Sequence, residues 1–159
     1  MVLFERLCLE IFQAGLSWFL VLKRREALRG AFADFVPGQV AAFDETSRMC
    51  LLADPALIRN RRKIDAVIEN ARRVMALQGE YGSFADWIEF QRREVAVWRG
   101  VESWIHLFRG TFLFMGPEVV REFLMSIAYL PGAHHAQCPV YAEILKHQPC
   151  WLESREQTE

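Results

Sequence analysis

Long hydrophobic runs are missing from this sequence of 159 residues. A bilayer span needs about 20 apolar residues. The longest obvious run, residues 18 to 22, ends against Lys23, Arg24 and Arg25. The opening residues do not read as a secretory leader, because Glu5, Arg6 and Glu10 interrupt the apolar stretch and no basic leader precedes it. Cysteine is scarce: Cys8, Cys50, Cys138 and Cys150 are widely spread. A chain with this much apolar material needs no disulfide framework, so the reading is a reducing, cytoplasmic protein with no membrane contact. Proline and glycine number only 6 and 9, which suits long helices joined by short turns. Net charge is nearly absent. The 19 basic and 20 acidic residues leave −1, which at face value argues against a simple polyanion binder. The sum hides unlike regions, with +4 across residues 59–73 and −2 across residues 153–159. Of the 19 basic residues 16 are Arg, the type best suited to phosphate.

What remains is an ordinary globular composition with room for one sizeable core. Leu3, Leu7, Glu10 and Ala14 recur at helical spacing on one face of a helix over residues 3 to 14. Gly15 breaks that helix, and Ser17 caps the next, over residues 18 to 32. Short helices are expected over 39–43 and from a cap at Asp44 or Thr46 to about Ala53. Residues 61 to 77 carry an apolar stripe of Ile64, Val67, Ile68, Ala71 and Met75. Ser83 with Asp86 opens a helix through Val97, Gly100 and Gly110 flank another, and residues 118–129 and 140–146 complete the set. No strand alternation is visible. The fold class is all-α, as a single helical domain over residues 1–152 with an acidic tail over 153–159.

Five constellations can carry chemistry. Glu10 lies on an apolar stripe, where a carboxylate is costly unless it faces water or a cavity; it sits either at the stripe's edge or at a pocket floor. At Gly15, Leu16 and Trp18 a helix breaks and resumes. Leu16 can act as a wedge into a base stack and Trp18 can stack on a planar ligand, or both are core. Arg59, Arg61, Arg62 and Lys63, with Arg72 and Arg73 further on, suit phosphate at a helix N-terminus, or form a solvated face. Residues 112–117, around Gly116, make a turn whose backbone N–H groups can hold phosphate, or an ordinary helix connection. His134 and Cys138 form an H-x3-C pair, with His135 beside them and His147-x2-Cys150 following, so a zinc set can be drawn; surface histidines and inert thiols are the other reading.

In order along the chain, FERLCLEIFQAGLSWFLVLKRREALRGAFADFVPGQVAAF, ALIRNRRKIDAVIENARR and FRGTFLFMGPEVVREFLMSIAYLPGAHHAQC resemble the catalytic domain of the 3-methyladenine DNA glycosylase I family. The resemblance implies a helix–hairpin–helix glycosylase fold. It implies hydrolysis of the N-glycosidic bond of a flipped-out 3-methyladenine in double-stranded DNA, and a structural zinc. Carried over, Glu10 matches the catalytic, base-recognising carboxylate and Trp18 an aromatic of the base pocket. Gly15 and Leu16 match the tip that probes the duplex, Gly116 the DNA-holding hairpin, and His134 and Cys138 a pair of zinc ligands. Gly132 and Ala133 stand near where related glycosylases place a catalytic Asp, which this family generally lacks. The implied reaction is therefore monofunctional, with no lyase step.

The sequence departs from the family in several places. The family has a segment resembling C-x-W followed by Y-H-D-x-E-W-G ahead of the residue that is Met1 here. That segment supplies the other two zinc ligands and part of the pocket wall, and these 159 residues lack it. The expectation is an N-terminally shortened domain holding little or no zinc, since two ligands make no stable structural site. Glu118 adds negative charge beside the hairpin, and the region between Trp87 and Trp104 is shorter than the family's. Three readings follow: a repair glycosylase needing no obligate protein partner, an inactive relative that binds DNA without base excision, or a helical protein-interaction module.

Overall fold

The structure, a computed structural model, describes residues 2–96 and 100–152. Its described elements are helical: α1 (Val2–Gln13), α2 (Trp18–Ala31), α3 (Pro37–Ala41), α4 (Glu45–Ala53), α5 (Arg61–Tyr81), α6 (Phe84–Gln91), α7 (Val101–Thr111), α8 (Pro117–Ser126) and α9 (Pro139–Lys146). The all-α expectation holds. Among the described residues no helix is long and apolar enough to cross a membrane. The acidic tail lies outside the described residues.

Helix α1 is the central element. Phe4, Leu7, Cys8, Leu9, Glu10, Ile11 and Phe12 are all buried, and the helix packs against α2, α5, α6 and α8. A helix apolar on nearly every side belongs inside a fold. Around it lie two aromatic groups. Phe12, Phe32, Phe35 and Phe43 form one. Phe84, Trp87, Phe108, Phe112 and Phe123 form the other. Twelve phenylalanines are therefore put to use largely as core.

The caps are local chemistry. Ser17, Asp44, Asn60 and Ser83 each accept a backbone N–H of the following turn, which satisfies donors that no carbonyl can reach. Several boundaries differ from expectation. Helix α3 starts at Pro37, since proline's fixed φ suits a first helical position. Helix α5 runs through Gly79 and stops at Gly82, whose φ is 92°; its apolar face turns toward Val74, leaving Met75 exposed. Helix α6 ends at Gln91 and passes into a π turn, Arg92–Ala96; Val97 lies outside the described residues. Helix α8 ends at Ser126, three residues early, because Ala128 takes a left-handed φ of 61°.

Candidate active site

Helices α1 and α8 pack side by side, and Arg6 Nη1 ties them by donating to Ser126 O at 2.5 Å. Beside this seam opens a cavity of about 750 Å³. Glu10, Arg6, Trp18, Glu122, Tyr141 and Trp151 are among its lining residues. Glu10 is only 5% exposed, so of its two readings the pocket floor is the one realised. Burial, then the neighbouring Glu122 carboxylate, push its carboxyl up to about 7, while the Arg6 guanidinium pulls the other way. Among the described residues no group donates a hydrogen bond to the Glu10 carboxylate, so its oxygens are available to a ligand. Trp18 opens α2 just after the Ser17 cap and remains 41% exposed. An aromatic face and a poised carboxylate thus share one concavity, the arrangement that suits a planar, positively charged ring.

The second half of the site is a pair of loops held by α5. Gly15 is exposed with φ 76° and has open space where a Cβ would point. The backbone turn there requires glycine; no steric neighbour does. Leu16, next to it, is half-buried. Residues 112–116 connect α7 to α8, with Phe114 in the left-handed region at φ 61°. Gly116 has an ordinary φ of −68° and precedes the first turn of α8. A groove of about 560 Å³ runs along this connection and reaches Ala14, beside the tip.

Lys63 corrects a sequence expectation. Its position in the sequence groups it with the phosphate-binding cations, yet it is 3% exposed. Its Nζ donates to Phe12 O at 2.7 Å and Ala14 O at 2.6 Å, the orphan carbonyls at the end of α1. The ring of Phe114 lies 5.8 Å away. Burial lowers its pKa. Lys63 therefore cannot reach DNA; it fixes the tip and stands against the hairpin. Two turns along α5, the fully buried Asn70 donates from Nδ2 to Leu113 O at 3.0 Å and accepts Leu113 N–H at 2.7 Å. Arg73 adds a bond from Nη1 to Thr111 O at 2.9 Å.

The basic stretch divides accordingly. Arg59, Arg61 and Arg62 are exposed. Arg61 lies 3.8 Å from Asp65 and 4.0 Å from Glu45, whereas Arg59 and Arg62 make no ion pair among the described residues. Arg72 is spent on Ala41 O, Phe43 O and Glu69, and Arg73 on Thr111 O and Glu69. Glu118 is paired with Arg121 at 3.2 Å, which tempers the negative charge beside the hairpin. The Lys63 bonds place the first turn of α5, with its exposed arginines, next to the tip.

His134 Nδ1 lies 3.3 Å from Cys138 Sγ. Among the described residues no third His, Cys, Asp or Glu joins them in a metal-holding group, and His147 instead lies 3.9 Å from Glu143. A tetrahedral structural zinc wants four donors, so the residues present do not fit one.

Residues 1–103 match the sequence model of the methyladenine glycosylases. The chain belongs to this family. It is 45% identical over 86 residues to DNA-3-methyladenine glycosylase 1 of Escherichia coli (strain K12), a match covering 54% of this chain and 46% of that protein. DNA-3-methyladenine glycosylase of Haemophilus influenzae is 41% identical over 86 residues, with the same coverage. The chain thus spans less than half the length of the curated relatives it matches. Among solved structures, 3-methyladenine DNA glycosylase I superposes with a TM-score of 0.75 at 32% identity, over 86% of this chain and 82% of that one. The Staphylococcus aureus protein, solved to show the structural basis of its 3-methyladenine recognition, superposes at 0.74 with 29% identity, over 87% and 80%. The methyladenine glycosylase fold is therefore present. Sequence reasoning missed Glu122, Asn70, Tyr141 and Trp151. Asn70 carried a signal, a polar residue at the buried spacing of α5. Nothing local marked the others.

Proposed function

We propose that this chain is a monofunctional DNA glycosylase that hydrolyses the N-glycosidic bond of 3-methyladenine in double-stranded DNA. The observation that carries the reading is Glu10, buried at the floor of a cavity it shares with Trp18. The other two readings, DNA binding without excision and a protein-interaction module, leave that carboxylate without a task.

The chemistry follows from the substrate. Methylation at N3 places positive charge on the purine, so the bond from N9 to C1′ is already weak. The duplex must release the base into a pocket. Leu16 at the tip fills the gap left in the stack. Arg59, Arg61, Arg62 and the backbone around Gly116 hold phosphates on either side, in a helix–hairpin–helix formed by α7, residues 112–116 and α8. In the pocket the base stacks on Trp18, and anionic Glu10 accepts hydrogen bonds from it and stabilises cationic character in a low-dielectric setting. The C1′–N9 bond breaks with its electron pair moving to the base, which leaves neutral. Water adds its oxygen to C1′ and loses its proton to solvent, leaving an abasic sugar. Among the described residues no lysine lines the cavity that holds Glu10, and the reading includes no lyase step.

The same reading includes a cytoplasmic setting, no obligate protein partner and no firmly held zinc. His134 and Cys138 would be the pair that meets any metal, with two donors where four are wanted. The deciding experiment is release of free 3-methyladenine from alkylated duplex DNA. Release by the protein, lost in Glu10→Gln, supports the reading. Tight duplex binding with no release by intact protein replaces it with the non-excising relative.

A further inference from the structure

Helix α9 is amphipathic, yet none of its residues is buried in the core. Its apolar side chains Val140, Tyr141 and Ile144 line the cavity that holds Glu10. Trp151, from the turn that follows, lines the same cavity and stacks with Tyr141 at 6.3 Å with 25° between the rings. Spacing of one and four residues puts these three α9 positions on one face of a helix. That face would ordinarily be sunk in a core; here it borders an open concavity lined also by the buried Glu10 and the exposed Glu122. Helix α9 and Trp151 also lie beyond the 103 residues matched by the family.

We propose that Tyr141 and Trp151 form a second aromatic wall of the base pocket, and that α9 closes over an extruded alkylated adenine. Two features of the cavity select this occupant. The wall offers flat π surface, which stacks on any nucleobase. The lining offers two carboxylates, Glu10 and Glu122, against the Arg6 guanidinium, which favours a ring carrying positive charge. A neutral adenine would gain the stacking and lack the charge attraction, so the wall sharpens selection for the N-alkylated base.

The inference rests on the glycosylase reading, and the experiment separates the two. Base release from alkylated duplex and binding of free 3-methyladenine, followed by tryptophan fluorescence, are measured for wild type, Glu10→Gln, Tyr141→Ala, Tyr141→Phe and Trp151→Phe. Failure of wild type to release or bind the base removes the glycosylase reading itself. With an active wild type, Tyr141→Ala is expected to weaken base binding and raise KM by about tenfold, a typical loss of one stacking partner, with a smaller change in kcat. Tyr141→Phe restores most of that affinity. Trp151→Phe loses a large part of the base-induced fluorescence change. An active wild type whose folded Tyr141→Ala and Trp151→Phe variants keep full affinity, KM and quenching would overturn the proposal.

Discussion

Glu10 holds its carboxyl near 7 because burial and Glu122 disfavour the charge, and Arg6 only partly offsets them. A group with its folded pKa raised adds stability below its unfolded value, and that contribution is lost as pH rises through the folded one. Folding stability from Glu10 therefore declines between about 4.5 and about 7. The proposed chemistry needs the anion, so base release should climb over the upper part of the same range. The useful form of this residue is the less stable one. Glu10→Gln is expected to lower base release at pH 8 by about 10²-fold, the usual cost of removing one electrostatic stabiliser. In thermal melts at pH 8 the same variant should unfold a few degrees above wild type, with the gap closing at pH 5. Glu122→Gln should move the midpoint of the acid limb below that of wild type. An unmoved midpoint in a pH–rate profile would show that Glu122 does not govern Glu10.

At the scale of elements, α5 acts as a spine. Lys63 holds the end of α1, Asn70 the hairpin residue Leu113, and Arg73 the end of α7. Asn70→Ala leaves the Leu113 N–H and C=O without partners. A loss of about 1–3 kcal/mol per unpaired buried group is expected, readable by urea denaturation. Lys63→Met frees two carbonyls at the tip and should reduce base release. It should leave the dependence of duplex binding on salt unchanged, because Lys63 meets no phosphate. Arg62→Met should instead lower that slope by about 1. These residues also show where sequence reading stops. The helix itself, its start at Arg61 and its apolar stripe were legible from spacing, while the Asn60 cap was not read. Lys63 was not, because it sits in a run of cations and only the third dimension turns it inward. Glu10 posed the opposite difficulty: α1 is buried on nearly all sides, so a single stripe could not say whether an acidic residue faced water or a cavity.

Across the whole molecule, the residues that line the candidate pocket come from distant parts of the chain. Glu10 and Trp18 lie near one end of the sequence, and Tyr141 and Trp151 near the other. A one-dimensional reading found the first pair through resemblance and motif, and passed over the second because aromatic residues in a short helix look like core. Charge behaves in the same way. The surplus over residues 59–73 is real as a sum, but Arg72 and Arg73 are consumed by backbone carbonyls and Glu69. Binding to duplex should therefore be modest and salt-sensitive, with Arg59 and Arg62 as the main exposed contributors. A chelator such as EDTA is expected to leave both melting temperature and base release unchanged. One tightly held zinc per chain, by metal analysis, would show that a further ligand set forms around His134 and Cys138.

The Asn70 bridge has a consequence for exchange with solvent. Amides in connecting loops usually swap their hydrogens quickly, through small local openings. The Leu113 amide is handed to a fully buried oxygen on the longest helix of the described fold. Its hydrogen can leave only when α5 and the hairpin part, so a loop position should report the slow clock of global unfolding. In deuterium exchange, Leu113 should keep pace with the interior of α5, while Gly15 across the groove exchanges early.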